Sequence, residues 1–389
     1  MTELPHPSRV PDGAVLVHIG MHKTGTTAMQ TLLSTQRESL LAQGVLYPGA
    51  AADHHSYARS LTQQAVGSGG ADKPPPPQLW ERLVAELAEE SRRTVISSEY
   101  FSVARGDEPA RLVADLGQGR VHVLVGVRNT TDSAVSAWQQ TLKQNRIATI
   151  DRWASNVLPR DGRPPRLPNY WAQWDLGAMV RRWSQAAGPE NMTVVVVDRS
   201  DRDRLPATFE QLLGLRAGTL VGREPPVSNR GMTAREAELF RRLNVALRGK
   251  YDWPTYKRIV RYGVIRTVIE SRPAAPDEPR PVLPAWAAEI TREAGRRAAE
   301  EIAASGVRVV GDLAALHAER PPAVTPGELD TVPIELAVLA ISAAIAAEAD
   351  APAGRPLEDV PGRELVQLLA RRARRRAGRT ARSWRRRLA

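Results

Sequence analysis

The sequence predicts an α/β protein: a three-layer parallel sheet with a P-loop-like phosphate loop, followed by a helical C-terminal part. Three observations lead to this fold class. Short apolar runs alternate with segments of helical spacing from Val15 to Asp198, as in a parallel sheet covered on both faces. The first run ends at a loop rich in Gly and Thr. Beyond Asp198 strand patterns become scarce and helical patterns dominate.

The predicted elements follow one another in a regular order. The strands are Val15–Ile19, Thr94–Ser97, Val121–Val127 and Met192–Val197. The helices of the first half are Thr26–Gln43, Gln78–Ser91, Pro109–Leu116, Asp132–Gln144 and Trp171–Ala187. Those of the second half are Arg204–Leu213, Thr233–Leu247, Thr255–Glu270, Ala285–Ser305 and Glu335–Glu348. We expect an α/β core at 14–215, a helical part at 216–348 that completes the core, and a linker with an Arg-rich helix or tail at 349–389.

Composition narrows the function classes. The chain has 389 residues and a net charge of +11, but ten Arg and no acid stand in Arg371–Ala389, so the remainder carries 44 basic against 43 acidic residues. The absence of cysteine excludes disulfides, thiolate metal sites and a cysteine nucleophile. The N-terminus is polar and has no apolar stretch of the signal-peptide type. The Ala-rich run Pro333–Ala347 is too short to span a bilayer. These two features predict a cytoplasmic protein, and peripheral contact with the inner membrane face is the alternative.

The loop after the first strand has the residue types of a phosphate site. Gly20 and Gly25 permit close backbone approach, Lys23 supplies a positive charge, and Thr26 and Thr27 supply hydroxyls at a helix N-terminus that favours anions. A nucleoside triphosphate loop ends in Gly-Lys-Ser/Thr, whereas here the lysine precedes the second glycine. The order therefore indicates a different phosphate ligand.

The stretch HIGMHKTGTT, His18–Thr27, resembles the 5′-phosphosulfate loop of sulfotransferases that use 3′-phosphoadenosine-5′-phosphosulfate (PAPS). The resemblance implies PAPS as co-substrate and adenosine 3′,5′-bisphosphate as product. It places Lys23 beside the bridging oxygen, where a fixed ammonium stabilises the leaving phosphate. The predicted loop contacts with the cofactor are His22, Lys23, Thr24, Gly25, Thr26 and Thr27.

A second motif follows the strand Val121–Val127. Arg128 ends that strand and Ser136 stands eight residues on, early in the next helix, with Trp138 two residues further. The same family has an Arg and a Ser at this spacing to hold the 3′-phosphate of the cofactor. Arg128 and Ser136 are therefore predicted to form the second cofactor anchor.

Sulfuryl transfer also needs a base near the attacking group. Glu99 follows a strand, at the end where ligands bind in parallel sheets. Cytosolic family members have Lys-Thr-His after this strand. Here the sequence is Ser97-Ser98-Glu99, with a glutamate at the position of the family's histidine. His55 and, third, His54 are the alternatives, because imidazole titrates near neutrality. A shared arrangement is also open, in which one of these residues has a positioning role and the other abstracts the proton.

These features predict in-line transfer of a sulfuryl group from PAPS to a hydroxyl or amine of a carbohydrate, glycolipid or small-molecule acceptor, with no bound metal. The Arg-rich tail fits either contact with an anionic membrane or a solvated terminus. The nearly neutral body and the lack of a recognised motif argue against nucleic-acid binding.

Two other functions remain open. One is a P-loop nucleotide kinase or hydrolase in which Val194–Asp198 would be the magnesium-holding strand and Asp198 its ligand. The other is a non-catalytic protein that binds membranes through the Arg-rich tail.

Overall fold

The computed structural model describes residues 9–21, 24–64, 73–167, 175–198, 201–222, 230–275, 277–319, 329 and 331–349. Six parallel strands form one sheet in the order β2-β3-β1-β4-β5-β6. They are β1 Val15–His18, β2 Val45–Leu46, β3 Arg93–Ser97, β4 Val121–Val127, β5 Met192–Val196 and β6 Arg308–Val310. The α/β fold class with a helical C-terminal part is confirmed.

Helices connect the strands and fill the second half of the chain. The first set is α1 Thr26–Thr35, α2 Arg37–Leu41, α3 His55–Thr62, α4 Gln78–Ala88, α5 Glu108–Leu116, α6 Thr130–Leu142, α7 Ile150–Val157 and α8 Leu176–Ala187. The second set is α9 Arg204–Leu213, α10 Ala234–Leu247, α11 Trp253–Tyr256, α12 Arg266–Ser271, α13 Ala285–Ala304 and α14 Ile334–Ala349. A π-helical segment, Lys257–Ile265, joins α11 to α12.

The sheet is the middle of three layers. On β1, Val15 and Val17 point into a core shared with α4, α5, α8 and α13. Leu16, between them, points to the other face and packs with α1 and α9. Alternate residues of a strand face opposite sides, so the continuous apolar runs of β1 and β4 reflect a sheet that is buried on both faces.

The helical half has a core of its own and also adds to the sheet. One face of α6 packs with α7, α10, the π-helical segment and α14 in a separate apolar cluster. β6 pairs with β5 in parallel, with Val309 opposite Val194. The division at residue 215 stays a prediction. Within the described residues, no helix is both long and apolar enough to cross a bilayer.

The structure differs from the sequence prediction in several elements. The predicted helix Thr26–Gln43 breaks at Gln36, which has non-helical backbone angles, giving α1 and α2. The strands β2 and β6, of two and three residues, and the helices α3 and α7 were not predicted. Trp171, the predicted start of α8, lies outside the described residues, as does the tail beyond Ala349.

Candidate functional site

Three neighbouring strands end at one edge of the sheet and bring the predicted site segments together. In the register of the sheet, His18 at the end of β1 lies opposite Ser97 of β3 and Leu124 of β4. The predicted phosphate loop follows β1, Glu99 follows β3, and Arg128 follows β4. Ligands of open parallel sheets bind at this carboxyl edge.

The loop opens directly into the N-terminus of α1. Gly25 is the N-cap residue, with φ of 87°, and an added Cβ would meet no atom within 4 Å. The left-handed backbone therefore requires glycine, although the space in front of it is open. The first N–H groups of a helix have no partner within the helix, and the exposed Thr27 stands beside them. This end of α1 suits an anion.

The other loop threonines hold the turn. The hydroxyls of Thr24 and Thr26 both donate to the carbonyl of Met21, at 2.8 and 3.3 Å, and both side chains are buried. A Cβ on Gly20 would lie 2.4 Å from Thr26 Oγ1, so only glycine fits there. Within the predicted set, Thr24 and Thr26 thus stabilise the loop and Thr27 is exposed. His22 and Lys23 lie outside the described residues.

The two favoured base candidates are in contact. His55 Nε2 lies 3.5 Å from Glu99 Oε2, and the two side chains are 29% and 15% exposed. On its other side, His55 Nδ1 lies 3.0 Å from Ser98 Oγ and 3.5 Å from Asp53 Oδ1. The ring of Tyr100 packs edge-on against the imidazole, at 5.0 Å between centroids. The imidazole is therefore held with Nε2 towards the carboxylate.

A residue that sequence reasoning missed links this pair to the loop helix. Gln30, on α1 and buried, donates from Nε2 to Glu99 Oε2 at 3.4 Å and to the Ser97 carbonyl at 3.3 Å. Gln30 stands one turn beyond Thr26 on the loop helix. A polar residue at a buried helix position was the signal that would have identified it.

His54 is arranged differently from His55. Its Nδ1 accepts the N–H of Ser97 at 3.1 Å, and its Nε2 lies 3.1 Å from the Pro48 carbonyl, to which it donates. Burial lowers the pKa of His54 to about 4, so the imidazole is neutral near pH 7. With both ring nitrogens bonded to the main chain, His54 joins the segment before α3 to the end of β3.

Arg128 and Ser136 lie at the start of α6. The Arg128 guanidinium donates from Nε to Ser133 Oγ at 3.1 Å and from Nη2 to the Asp132 carbonyl at 2.7 Å. The Ser136 side chain is half-buried, one turn further along the helix. Asn129 between the strand and the helix caps α6 and donates to the Ala315 and Ala318 carbonyls. The β4–α6 junction is thus fixed by both helix capping and contacts with the C-terminal half.

The part of the chain that the structure describes contains no group of three or more His, Asp or Glu side chains placed to hold a metal ion. Asp198, the predicted magnesium ligand of the alternative function, follows β5 in a short bridge with Asp201.

Five chains of solved structures match this chain. A crystal structure of a sulfotransferase from Alicyclobacillus acidocaldarius is 18% identical, with a TM-score of 0.39, over 61% of this chain and 93% of that chain. No protein-family model matches the sequence. No curated protein matches it either. The function therefore has to be argued from the residues of the site.

Proposed function

We propose that the protein is a sulfotransferase that transfers the sulfuryl group of PAPS to a hydroxyl or amine of its acceptor. The observation that carries the proposal is the pairing of an anion-suited helix N-terminus with a carboxylate–imidazole pair at one sheet edge. Gln30 connects the two, since it extends from the loop helix α1 to Glu99. In-line transfer needs these groups side by side: one for the leaving phosphate and one for the attacking hydroxyl.

The donor phosphate is proposed to bind at the N-terminus of α1. Backbone N–H groups from Gly25 onward and the Thr27 hydroxyl would contact the 5′-phosphate, and Lys23, which precedes them in the sequence, would contact the bridging oxygen. The buried hydrogen bonds of Thr24 and Thr26 to Met21 support this role, because they keep the loop in shape before the ligand arrives.

With a hydroxyl acceptor, the reaction exchanges one S–O bond for another. The acceptor oxygen attacks sulfur and forms a new S–O bond, while the bond from sulfur to the 5′-phosphate oxygen breaks and its electron pair remains on that oxygen. The proton of the acceptor hydroxyl passes to the Glu99–His55 pair. Lys23 stabilises the charge that develops on the leaving oxygen more than the ground state, which is the condition for lowering the barrier.

Within the pair, Glu99 is the proposed base and His55 its positioning partner. The Gln30 amide donates to the Glu99 carboxylate at 3.4 Å, and His55 Nε2 lies 3.5 Å from the same oxygen. Ser98 and Asp53 orient the imidazole from its far side. His54 is set aside as base because both its ring nitrogens already bond to the main chain.

The 3′-phosphate of the cofactor is assigned to Arg128 and Ser136. Arg128 is oriented by Asp132 and Ser133, which lowers the entropy lost when a guanidinium grips a phosphate. The helical part 216–348 is proposed to supply the acceptor side. The acceptor itself is proposed to be a carbohydrate, glycolipid or other small molecule.

A transfer assay tests the proposal. PAPS labelled with radioactive sulfur is incubated with phenols, oligosaccharides and extracted glycolipids as separate acceptors, and product is measured without and with a metal chelator. Metal-independent transfer to at least one hydroxyl acceptor is expected. Magnesium-dependent hydrolysis of ATP in a parallel reaction, without transfer from PAPS, would instead establish the kinase or hydrolase function that uses Asp198.

A further inference from the structure

The last described helix, α14, exposes a row of large aliphatic side chains. Ile334, Val338, Ile341 and Ile345 are 76%, 56%, 61% and 66% exposed. Their spacing of four, three and four residues places them along one face of the helix. Four adjacent exposed aliphatic residues on one helix differ from single apolar residues scattered over a surface, and they require a partner surface.

The opposite face of the same helix is already covered. Leu336 and Ala343 are buried against the π-helical segment. A Cβ on Gly263 would lie 2.6 Å from the Ala347 Cβ, so the two helices approach closely. The Arg258 guanidinium donates to the Ala347 carbonyl at 2.7 Å near the end of α14. One face of α14 therefore packs against the protein and fixes the position of the helix. The exposed row is a second apolar face of the same helix.

The surroundings of α14 are aromatic and basic. An open cavity of about 670 Å³ lies between α14 and the preceding helices, lined in part by Trp253, Lys257 and Tyr262. Eight of the ten large apolar and aromatic side chains that are exposed in the described ranges lie between Val245 and Ile345. The exposed apolar residues are thus concentrated in the sequence between 245 and 345.

The charges of the region leave an excess of cations. Lys257 Nζ and the Arg261 guanidinium lie over the Tyr262 ring, at 5.8 and 5.4 Å from its centroid. Two acids of the neighbourhood have cationic partners: Glu348 pairs with Arg258, and Glu270 with Arg266. A third acid, Glu335 on α14, is exposed and forms no ion pair with a described residue. The sequence that follows α14 adds ten Arg from 371 onward and no acid in that stretch.

We propose that this face docks on the surface of an anionic lipid bilayer. The row Ile334–Ile345 would lie at the boundary of headgroups and acyl chains, and the Arg-rich sequence that follows α14 would contact anionic headgroups. A second copy of this chain is disfavoured, because a two-fold contact brings the same cations together. The Arg-rich segment that follows is disfavoured as cover for the same electrostatic reason.

Vesicle flotation tests the proposal without any enzymatic readout. The full chain is mixed with phosphatidylcholine vesicles that contain either no anionic lipid or about a quarter phosphatidylglycerol. The test variant carries Ile341→Asp and Ile345→Asp, both on the exposed row. The matched control carries Leu41→Asp and Leu167→Asp. These two leucines are 47% and 53% exposed and lie outside the row, and the control changes the net charge by the same amount as the test variant. Thermal melts check that both variants remain folded.

The wild type and the matched control are expected to float with the anionic vesicles, and the test variant to bind at least about tenfold more weakly. Equal binding by the test variant would overturn the proposal, since the Arg-rich sequence alone would then account for attraction. No binding by the wild type would overturn it as well. Sedimentation velocity that shows a dimer lost only in the test variant would assign the face to a second copy.

Discussion

Replacing Gly25 by Ala separates the anion-binding role of the loop from its contribution to stability. An Ala at φ of 87° costs about 1–2 kcal/mol, because its Cβ approaches the neighbouring carbonyl. The added methyl group itself meets no atom within 4 Å. The strain therefore either remains in the folded protein or is relieved by rotation of the peptides that open α1.

The expected loss of affinity follows from the backbone N–H groups of the peptides that open α1. A backbone N–H to a charged oxygen contributes about 1.5–3 kcal/mol, so turning one N–H away from the phosphate raises the Kd for adenosine 3′,5′-bisphosphate by at least about tenfold. The assay is isothermal titration calorimetry, with urea unfolding measured on the same samples.

Gly119→Ala is the matched control for this change. Gly119 has φ of +80°, equally open space for a Cβ, and a position before β4 at the opposite edge of the sheet. Both variants should lose similar stability, and only Gly25→Ala should lose affinity. Equal affinities for the bisphosphate in the two variants would refute the assignment of the phosphate to the N-terminus of α1.

Further predictions concern the base, the second anchor and acid stability. Lys23→Ala and Glu99→Gln should each lower turnover by about a hundredfold or more while changing bisphosphate affinity little; near-normal turnover of Glu99→Gln would move the base to His55. Arg128→Ala should weaken bisphosphate binding by about tenfold or more in calorimetry, and unchanged affinity would remove it from the site. Burial lowers the pKa of His54 from 6.5 to about 4. As the pH falls from 6.5 towards 4, the unfolded chain therefore binds a proton at this histidine that the folded protein does not bind. The free energy of unfolding decreases over this pH range. The test is the urea midpoint of His54→Gln, which should fall less steeply over that pH range than the midpoint of the wild type. Parallel pH dependences of the two midpoints would contradict the prediction.

The sequence predicted the elements that are apolar and long. β4 matches its predicted bounds, and the predicted helix Arg204–Leu213 is α9 without change. β2 and β6 escaped prediction because two or three residues carry no pattern of their own. They are strands only because β3 and β5 offer unpaired edges. α3 was missed because its sequence, HSYARSLT, is polar at most positions.

The site was predictable in its segments and less so in its contacts. Glu99 and His55 were both candidates from their positions, but they are 44 positions apart in the sequence, and their 3.5 Å contact depends on how α3 packs beside β3. His54 and His55 are neighbours in the sequence with different surroundings, because α3 begins between them. Gln30 gave no motif at all. Its role follows from the way α1 lies over the end of β3.

Calorimetric titration of the wild-type protein tests the central claim most directly. Adenosine 3′,5′-bisphosphate is titrated into the full chain, with ATP and magnesium titrated separately under the same conditions. The account predicts saturable binding of one bisphosphate per chain, without a metal requirement, and much weaker binding of ATP. Tight binding of ATP with magnesium and no heat from the bisphosphate would contradict it.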